Sequence, residues 1–238
     1  MKLNLIVTIL CMLVCANSYA FKFSPMSTSI GVKDSKNSAL FFLENDSEQP
    51  IAVTASLLKR SMDKNGVETN QKIDDELTVY PTQLIISPNE KRSVKVTWTG
   101  KEAPTKELAY RLVAEQLPIE LDKNKKKKAS IKVLLRYVAA LYVSPEDWNS
   151  EIEFKQLSSE DKNISFLLEN KGKKHQVLSN LSLKISGSKD LELTSDDLKG
   201  MTGENILAQS ERVFVFPRDG KFKDIKTTDK VKLNFEKD

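Results

Sequence analysis

Cysteine is nearly absent from this chain: there are two, Cys11 and Cys15, and both fall within the first twenty residues. That opening segment reads as a secretory leader. Lys2 gives it a positive end, Leu5 to Val14 forms an apolar run too short to span a bilayer, and Ser18-Tyr-Ala20 supplies a small-x-small cleavage pattern. Processing as a lipoprotein at Cys15 is disfavoured, because Val14 stands where a small residue is wanted. Once cleaved, the protein begins at Phe21 and has no thiol, which excludes disulfides, thiolate metal sites and a cysteine nucleophile. An exported chain without disulfides must be stabilised by its own cores, as suits a bacterial periplasmic protein of two ordinary domains.

Histidine is scarcer still. His175 is the only one, so a zinc site with several imidazoles is excluded. A Ser-His-Asp triad would have to use this residue, which lies in the Lys-rich turn Lys171 to His175 and reads as structural or exposed. Only eight glycines are present, and none belongs to a phosphate-cradling motif. The 37 basic and 33 acidic residues leave a net charge of +4 spread through the chain, which describes a soluble surface and not a nucleic-acid footprint. The exception, Lys123 to Lys128, reads as a solvated loop between two strands. No enzyme, metal site or cofactor is expected, and no membrane span after the leader.

What the chain does have is a succession of short apolar runs separated by turn signals. Ala39 to Leu43 is followed by Glu-Asn-Asp-Ser, and Ile51, Val53, Ala55 and Leu57 alternate. Met62 to Gly66 reads as a hairpin turn, Leu84 to Ile86 stops at Ser-Pro-Asn-Glu, and Val94 to Trp98 alternates before Gly100. Strands of this length and spacing argue for an antiparallel sandwich. Local propensity objects only over Glu107 to Gln116, where Leu, Ala, Glu and Gln favour helix and Leu108 and Leu112 have i,i+4 spacing. Tyr110, Leu112 and Ala114 also alternate, and the flanking runs are β-like, so a strand is expected there. Pro145 and the following Glu-Asp-Trp-Asn-Ser150 suggest a bend between domains 21–145 and 146–238. Beyond it the strand rhythm returns at Ile152, Ile164, Leu181, Val213 and Val231, with a turn at Asn170-Lys-Gly172.

Three stretches carry a resemblance: Pro81 to Val96, Tyr110 to Pro118, and the alternating run from Ile131 into Leu141-Tyr-Val-Ser-Pro145. In their order and spacing behind a leader they resemble the periplasmic chaperones of chaperone–usher pilus systems. Asn170-x-Gly172 and Ser210 to Pro217 extend the likeness into the second half. The resemblance implies an all-β protein of two immunoglobulin-like sandwiches in an L-shaped, boomerang arrangement, with Ser130 to Tyr142 as the long seventh strand of the first. It implies a role in which that strand is lent to an incomplete pilus or fimbrial subunit, which is then delivered to an outer-membrane usher. The positions matching the donated side chains are Ile131, Val133 and Leu135, with Tyr137 extending the row. Period-two geometry puts these on one face, with Lys132 turned away between Ile131 and Val133. The alternative for the same row is that it faces its own sandwich core.

In one place the chain departs from the family. The rod-forming members hold the subunit's C-terminal carboxylate with an arginine in the first strand and a lysine near the end of the seventh. By alignment of the flanking residues those positions fall near Ser29 and Ala140 here, so the anchor must be lost, moved or replaced. Arg111 and Arg136, each embedded in an apolar strand, are the candidate replacements, since a guanidinium offers a bidentate fork to a carboxylate. The competing functional class is an exported structural or adhesive sandwich with no chaperone role.

Overall fold

The computed structural model describes residues 21–33, 35–73, 76–118, 133–160, 162–187 and 190–236. The leader at 1–20, the Lys123 to Lys128 run and Ile131 lie outside these residues. The described chain is all-β, with no α-helix, and forms two immunoglobulin-like sandwiches.

The first is built from β1 (Phe21–Ser24), β2 (Ser27–Ile30), β3 (Ser38–Asn45), β4 (Ile51–Met62), β5 (Glu68–Lys72), β6 (Leu77–Tyr80), β7 (Gln83–Ile86), β8 (Lys91–Trp98), β9 (Leu108–Leu117) and β10 (Arg136–Val143). One sheet runs β1-β3-β8-β6 and the other β2-β10-β9-β4-β5, with β7 also paired to β4. Alternation explains the layering, because residues two apart point to one face. Phe41 and Leu43 of β3, Val94 and Val96 of β8, Tyr110, Leu112 and Ala114 of β9, and Ala139, Leu141 and Val143 of β10 meet in one buried cluster. The helix-prone segment is thus a strand. β9 is laddered on both sides, by β4 and by β10, and this pairing overrides its local preference. The first edge strand changes sheets at Pro25, a residue that cannot donate to a ladder: β1 pairs β3 antiparallel, and β2 pairs β10 in parallel.

The second sandwich comprises β11 (Ile152–Ser159), β12 (Asn163–Asn170), β13 (Gln176–Val177), β14 (Ser179–Ser186), β15 (Leu191–Leu193), β16 (Asn205–Ile206), β17 (Ser210–Pro217) and β18 (Lys230–Glu236). Its sheets run β11-β12-β17 and β15-β14-β18, with β13 and β16 paired apart. Ile164, Phe166, Leu181, Leu183 and Phe216 lie in its own core, where Phe216 stacks on Phe222 at 4.9 Å.

The two sandwiches repeat one local device. Phe41-Phe-Leu-Glu-Asn45 ends β3 and Phe166-Leu-Leu-Glu-Asn170 ends β12, and both asparagines are fully buried. Asn45 Nδ2 donates to the carbonyls of Gln49, Ile86 and Ser87 at 2.9, 3.0 and 3.2 Å. Asn170 Nδ2 does the same to Lys174, Ile206 and Leu207 at 2.8, 3.2 and 3.1 Å. Each side-chain oxygen accepts from the backbone N–H two residues on, Ser47 or Gly172. Each amide therefore ties the end of its strand to a distant chain segment and leaves no buried group unmatched. Replacing either asparagine by alanine strands three carbonyls, at an expected cost of about 1–3 kcal/mol. Urea unfolding of Asn45→Ala and Asn170→Ala should show this as a clear fall in midpoint; unchanged midpoints would mean that water substitutes for the amides.

Candidate functional site

β10 is paired with β9 along its whole length, from Arg136 opposite Glu115 to Val143 opposite Leu108. On its other side β2 accompanies it only from Ala140 to Val143. Ala140 N donates to Met26 O at 2.9 Å, so this residue turns its peptide groups toward the β2 side. Residues two apart share that direction, so Val138 and Arg136 aim theirs to the same side, where no described strand pairs with them. The ladder itself starts at Arg136, whereas the sequence suggested a strand from Ser130. Leu135 is the last link, accepting from Gln116 N at 2.9 Å and donating to Gln116 Oε1 at 3.4 Å.

The predicted row grades from closed to open along one face. Ala139 and Leu141 are sealed in the first core. Tyr137 is half-buried: its ring meets Phe21 edge-on at 4.8 Å and lies 6.0 Å from Phe23, and its hydroxyl donates to Phe21 O at 2.6 Å. Leu135 is half-buried against the same cluster, and Val133 is 77% exposed. The half-open strand thus continues directly from a sandwich core to solvent.

The opposite face of the same sheet carries charge. Arg111 stands directly across the ladder from Ala140. It donates through Nε to Glu68 Oε2 at 3.2 Å and through Nη2 to Glu68 Oε1. Arg60, which the sequence reading passed over, is buried beside it; its Nη2 lies 2.5 Å from the same carboxylate and its Nη1 donates to the Tyr142 hydroxyl at 3.2 Å. Its Nε has no partner among the described residues. Two guanidinium groups therefore share one carboxylate at a partly desolvated spot, with the buried Glu107 carboxylate also acting on the Tyr142 phenol. Burial alone would raise the Glu68 carboxyl, but the hydrogen bond from Arg111 and the charges of Arg60 and Arg111 outweigh it and hold it below its ordinary range. Burial likewise raises the Tyr142 phenol, against the opposing pull of the two arginines. Arg136 is elsewhere, 53% exposed at the open end of β10, with Glu115 at 3.9 Å. The signal for Arg60 was available: the alternation of β4 continues past Leu58 and turns Arg60 to the same face as Arg111.

This face also meets the second sandwich. His175 stacks on Tyr142 with ring centroids 3.7 Å apart, and its Nδ1 lies 2.6 Å from Glu107 Oε1, which also accepts from His175 N at 2.8 Å. Asn205 Nδ2 donates to the Tyr142 hydroxyl at 2.6 Å, and Leu207 packs against Ala109, Ala140 and Tyr142. The single histidine is thus a structural element of the seam. Among the described residues, no group of His, Cys, Asp or Glu is arranged to hold a metal ion.

Because Glu68 is held below its ordinary carboxylate range, the stability it contributes is complete above the unfolded-state value near 4.5 and is lost as pH falls through the lower folded value. Glu68→Gln should therefore lower the urea midpoint at pH 7, and its gap to the parent should narrow on acidification to pH 3. A gap that stays constant across that range would contradict the assignment.

Residues 22–149 match the family model described as pili and flagellar-assembly chaperone, PapD N-terminal domain. A comparison with curated protein sequences gives no match. Among solved structures, the class 5 fimbriae chaperone CfaA is 17% identical with a TM-score of 0.58, covering 91% of this chain and 100% of that one. The CsuC–CsuE chaperone–tip adhesion subunit complex from archaic chaperone–usher Csu pili of Acinetobacter baumannii gives 15% identity and a TM-score of 0.60, over 90% and 97%. The SafB chaperone complex with the SafA pilin of Salmonella enterica gives 13% and 0.56, over 85% and 86%. At these identities the likeness is one of fold, and it extends over both sandwiches. The family match spans more than half of the chain, including β10 and its neighbours: this protein belongs to the pili and flagellar-assembly chaperones.

Proposed function

We propose that this chain is exported to the periplasm, where it captures pilus or fimbrial subunits by lending them the open side of β10 and delivers them to an outer-membrane usher. The observation that carries this reading is the half-paired strand: Arg136 and Val138 direct peptide groups to a side where no described strand pairs with them, while Val133, Leu135 and Tyr137 present an apolar row. An unpaired apolar edge is an aggregation hazard that folded proteins normally blunt. Its presence in a chaperone family fits strand addition, in which main-chain hydrogen bonds give affinity and alternate side chains give specificity. Each apolar side chain fully buried in a partner contributes about 1.5–3 kcal/mol, and each joined backbone bond about 0.5–1.5 kcal/mol. No covalent step is needed, in keeping with a family of chaperones and not of enzymes. Ile131 belongs to the same row by sequence parity. The pilin and tip-adhesin complexes of the fold relatives support a subunit as the partner class. On this reading the chain divides at Pro145 into an N-terminal subunit-binding domain, 21–145, and a smaller C-terminal domain, 146–238, a division supported by the two separate cores.

The subunit's terminal carboxylate is assigned to Arg111, assisted by Arg60. Arg111 faces Ala140 across the ladder, near the position where the family's lysine is missing, and Arg111 and Arg60 have only one directly bonded carboxylate, Glu68, between them among the described residues. Arg136, at the far end of the strand and exposed, is the less suited of the two sequence candidates.

Val133→Asp, Leu135→Asp and Tyr137→Asp should each abolish recovery of a one-to-one complex when the protein is co-expressed with a pilin subunit that the parent captures. A complex retained in all three would refute strand donation and leave an exported structural or adhesive module. Arg111→Ala should reduce recovery of the complex while the free protein stays folded. Undiminished capture would remove Arg111 from the anchor.

A further inference from the structure

The hairpin formed by β4 and β5 reaches beyond its own sandwich. Its turn runs through Asp63, whose carboxylate accepts from Asn65 N at 2.8 Å and Val67 N at 2.9 Å, and through Gly66 at φ +87. β17 is the edge of its sheet, with β12 on its only laddered side. The hairpin tip lies on the other side: Val213 N donates to Lys64 O at 2.7 Å. The neighbouring Arg212 is almost fully buried for a charged residue. Its guanidinium donates to Met62 Sδ at 2.7 Å and to Glu204 Oε2 at 2.7 Å, and lies 5.2 Å from the Phe214 ring centroid. A Cβ at Gly66 would collide with that guanidinium, so the glycine serves both the left-handed backbone and the close approach.

These contacts adjoin the Tyr142–His175 seam: Glu204, which accepts from Arg212, precedes Asn205, which donates to Tyr142, and Arg60 of the same hairpin donates to that hydroxyl too. That seam is narrow, its apolar part consisting of Ala109, Ala140, Tyr142 and Leu207. A small apolar contact resists rotation weakly, and relative motion of domains is the default unless their interface is large. The hairpin tip adds to the seam a backbone hydrogen bond and a buried guanidinium, and so extends the attachment beyond that small apolar contact. We infer that the β4–β5 hairpin is a strap that sets the angle between the two sandwiches, with Arg212 as its positioning residue. The hairpin also carries Arg60 and Glu68, so the strap fixes the charged face and the second sandwich relative to each other. This does not depend on what the protein binds.

The absence of cysteine from residues 21–238 makes the test direct. Spin labels are placed on Lys95→Cys and Lys184→Cys, one exposed strand position in each sandwich, and the distance distribution is measured by pulsed electron resonance. The parent should give one narrow peak. Arg212→Met and Gly66→Val should shift the mean and lose the single peak, with far-ultraviolet circular dichroism unchanged, and Arg212→Lys should restore the peak in part. Gly66→Val leaves Arg212 in place and pushes the turn away from its guanidinium, so it decides the matter if Arg212→Met does not fold. A narrow peak unchanged from the parent in the folded variants overturns the inference, whatever the outcome of the capture experiments.

Discussion

Everything distinctive in the first sandwich follows from the shortness of one pairing. β2 can accompany β10 only over four residues because the chain before Pro25 is committed to the opposite sheet, where Phe21 to Ser24 pair with β3. A strand partnered on one side throughout and on the other only at its end keeps a stretch of peptide groups with no strand partner among the described residues, which a folded protein tolerates at an edge where water or another chain can satisfy them. The same commitment places Phe21 and Phe23 beneath Tyr137, giving the open end of β10 an aromatic floor. Half-pairing and floor together make the site.

The two faces of the sheet divide the work. The inward row grades from the fully enclosed Leu141 to the exposed Val133, so an incoming strand would extend an existing core instead of founding a new one. The outward row concentrates guanidinium groups around one carboxylate and stacks the only histidine on Tyr142. Charge is tolerable there because Arg60, Arg111, Tyr142 and Glu68 bond one another, although Arg60 Nε remains unmatched among the described residues. The asparagines that end β3 and β12 perform the equivalent service for the backbone, and their recurrence shows the two sandwiches to be variations on one unit.

Much of this was legible from alternation. Tyr110, Leu112 and Ala114 gave the strand away despite helix-favouring neighbours, since burial on one face of a laddered strand outweighs a propensity difference of a few tenths of a kcal/mol per residue. The Phe-x-Leu-Glu-Asn repeat was equally visible in the letters, but its meaning was not: an amide's value depends on which distant carbonyls come within 3 Å, and Ile86 and Ile206 are about forty residues away in sequence. Arg60 was missed for the same reason. Its strand outran the apolar run that announced it, and its partners come from β5 and β10.

The absence of cysteine from residues 21–238, the all-β character and the alternating row leading into β10 could be read from the letters, because each is a matter of local composition or of period two. Tertiary pairing set which side of β10 lacks a described partner, where Arg111 stands relative to Ala140, and that a lone histidine and a hairpin tip join the two sandwiches. Those outcomes depend on which strands become neighbours, and a strand's neighbours are chosen by the competition of the whole chain for its sheet edges.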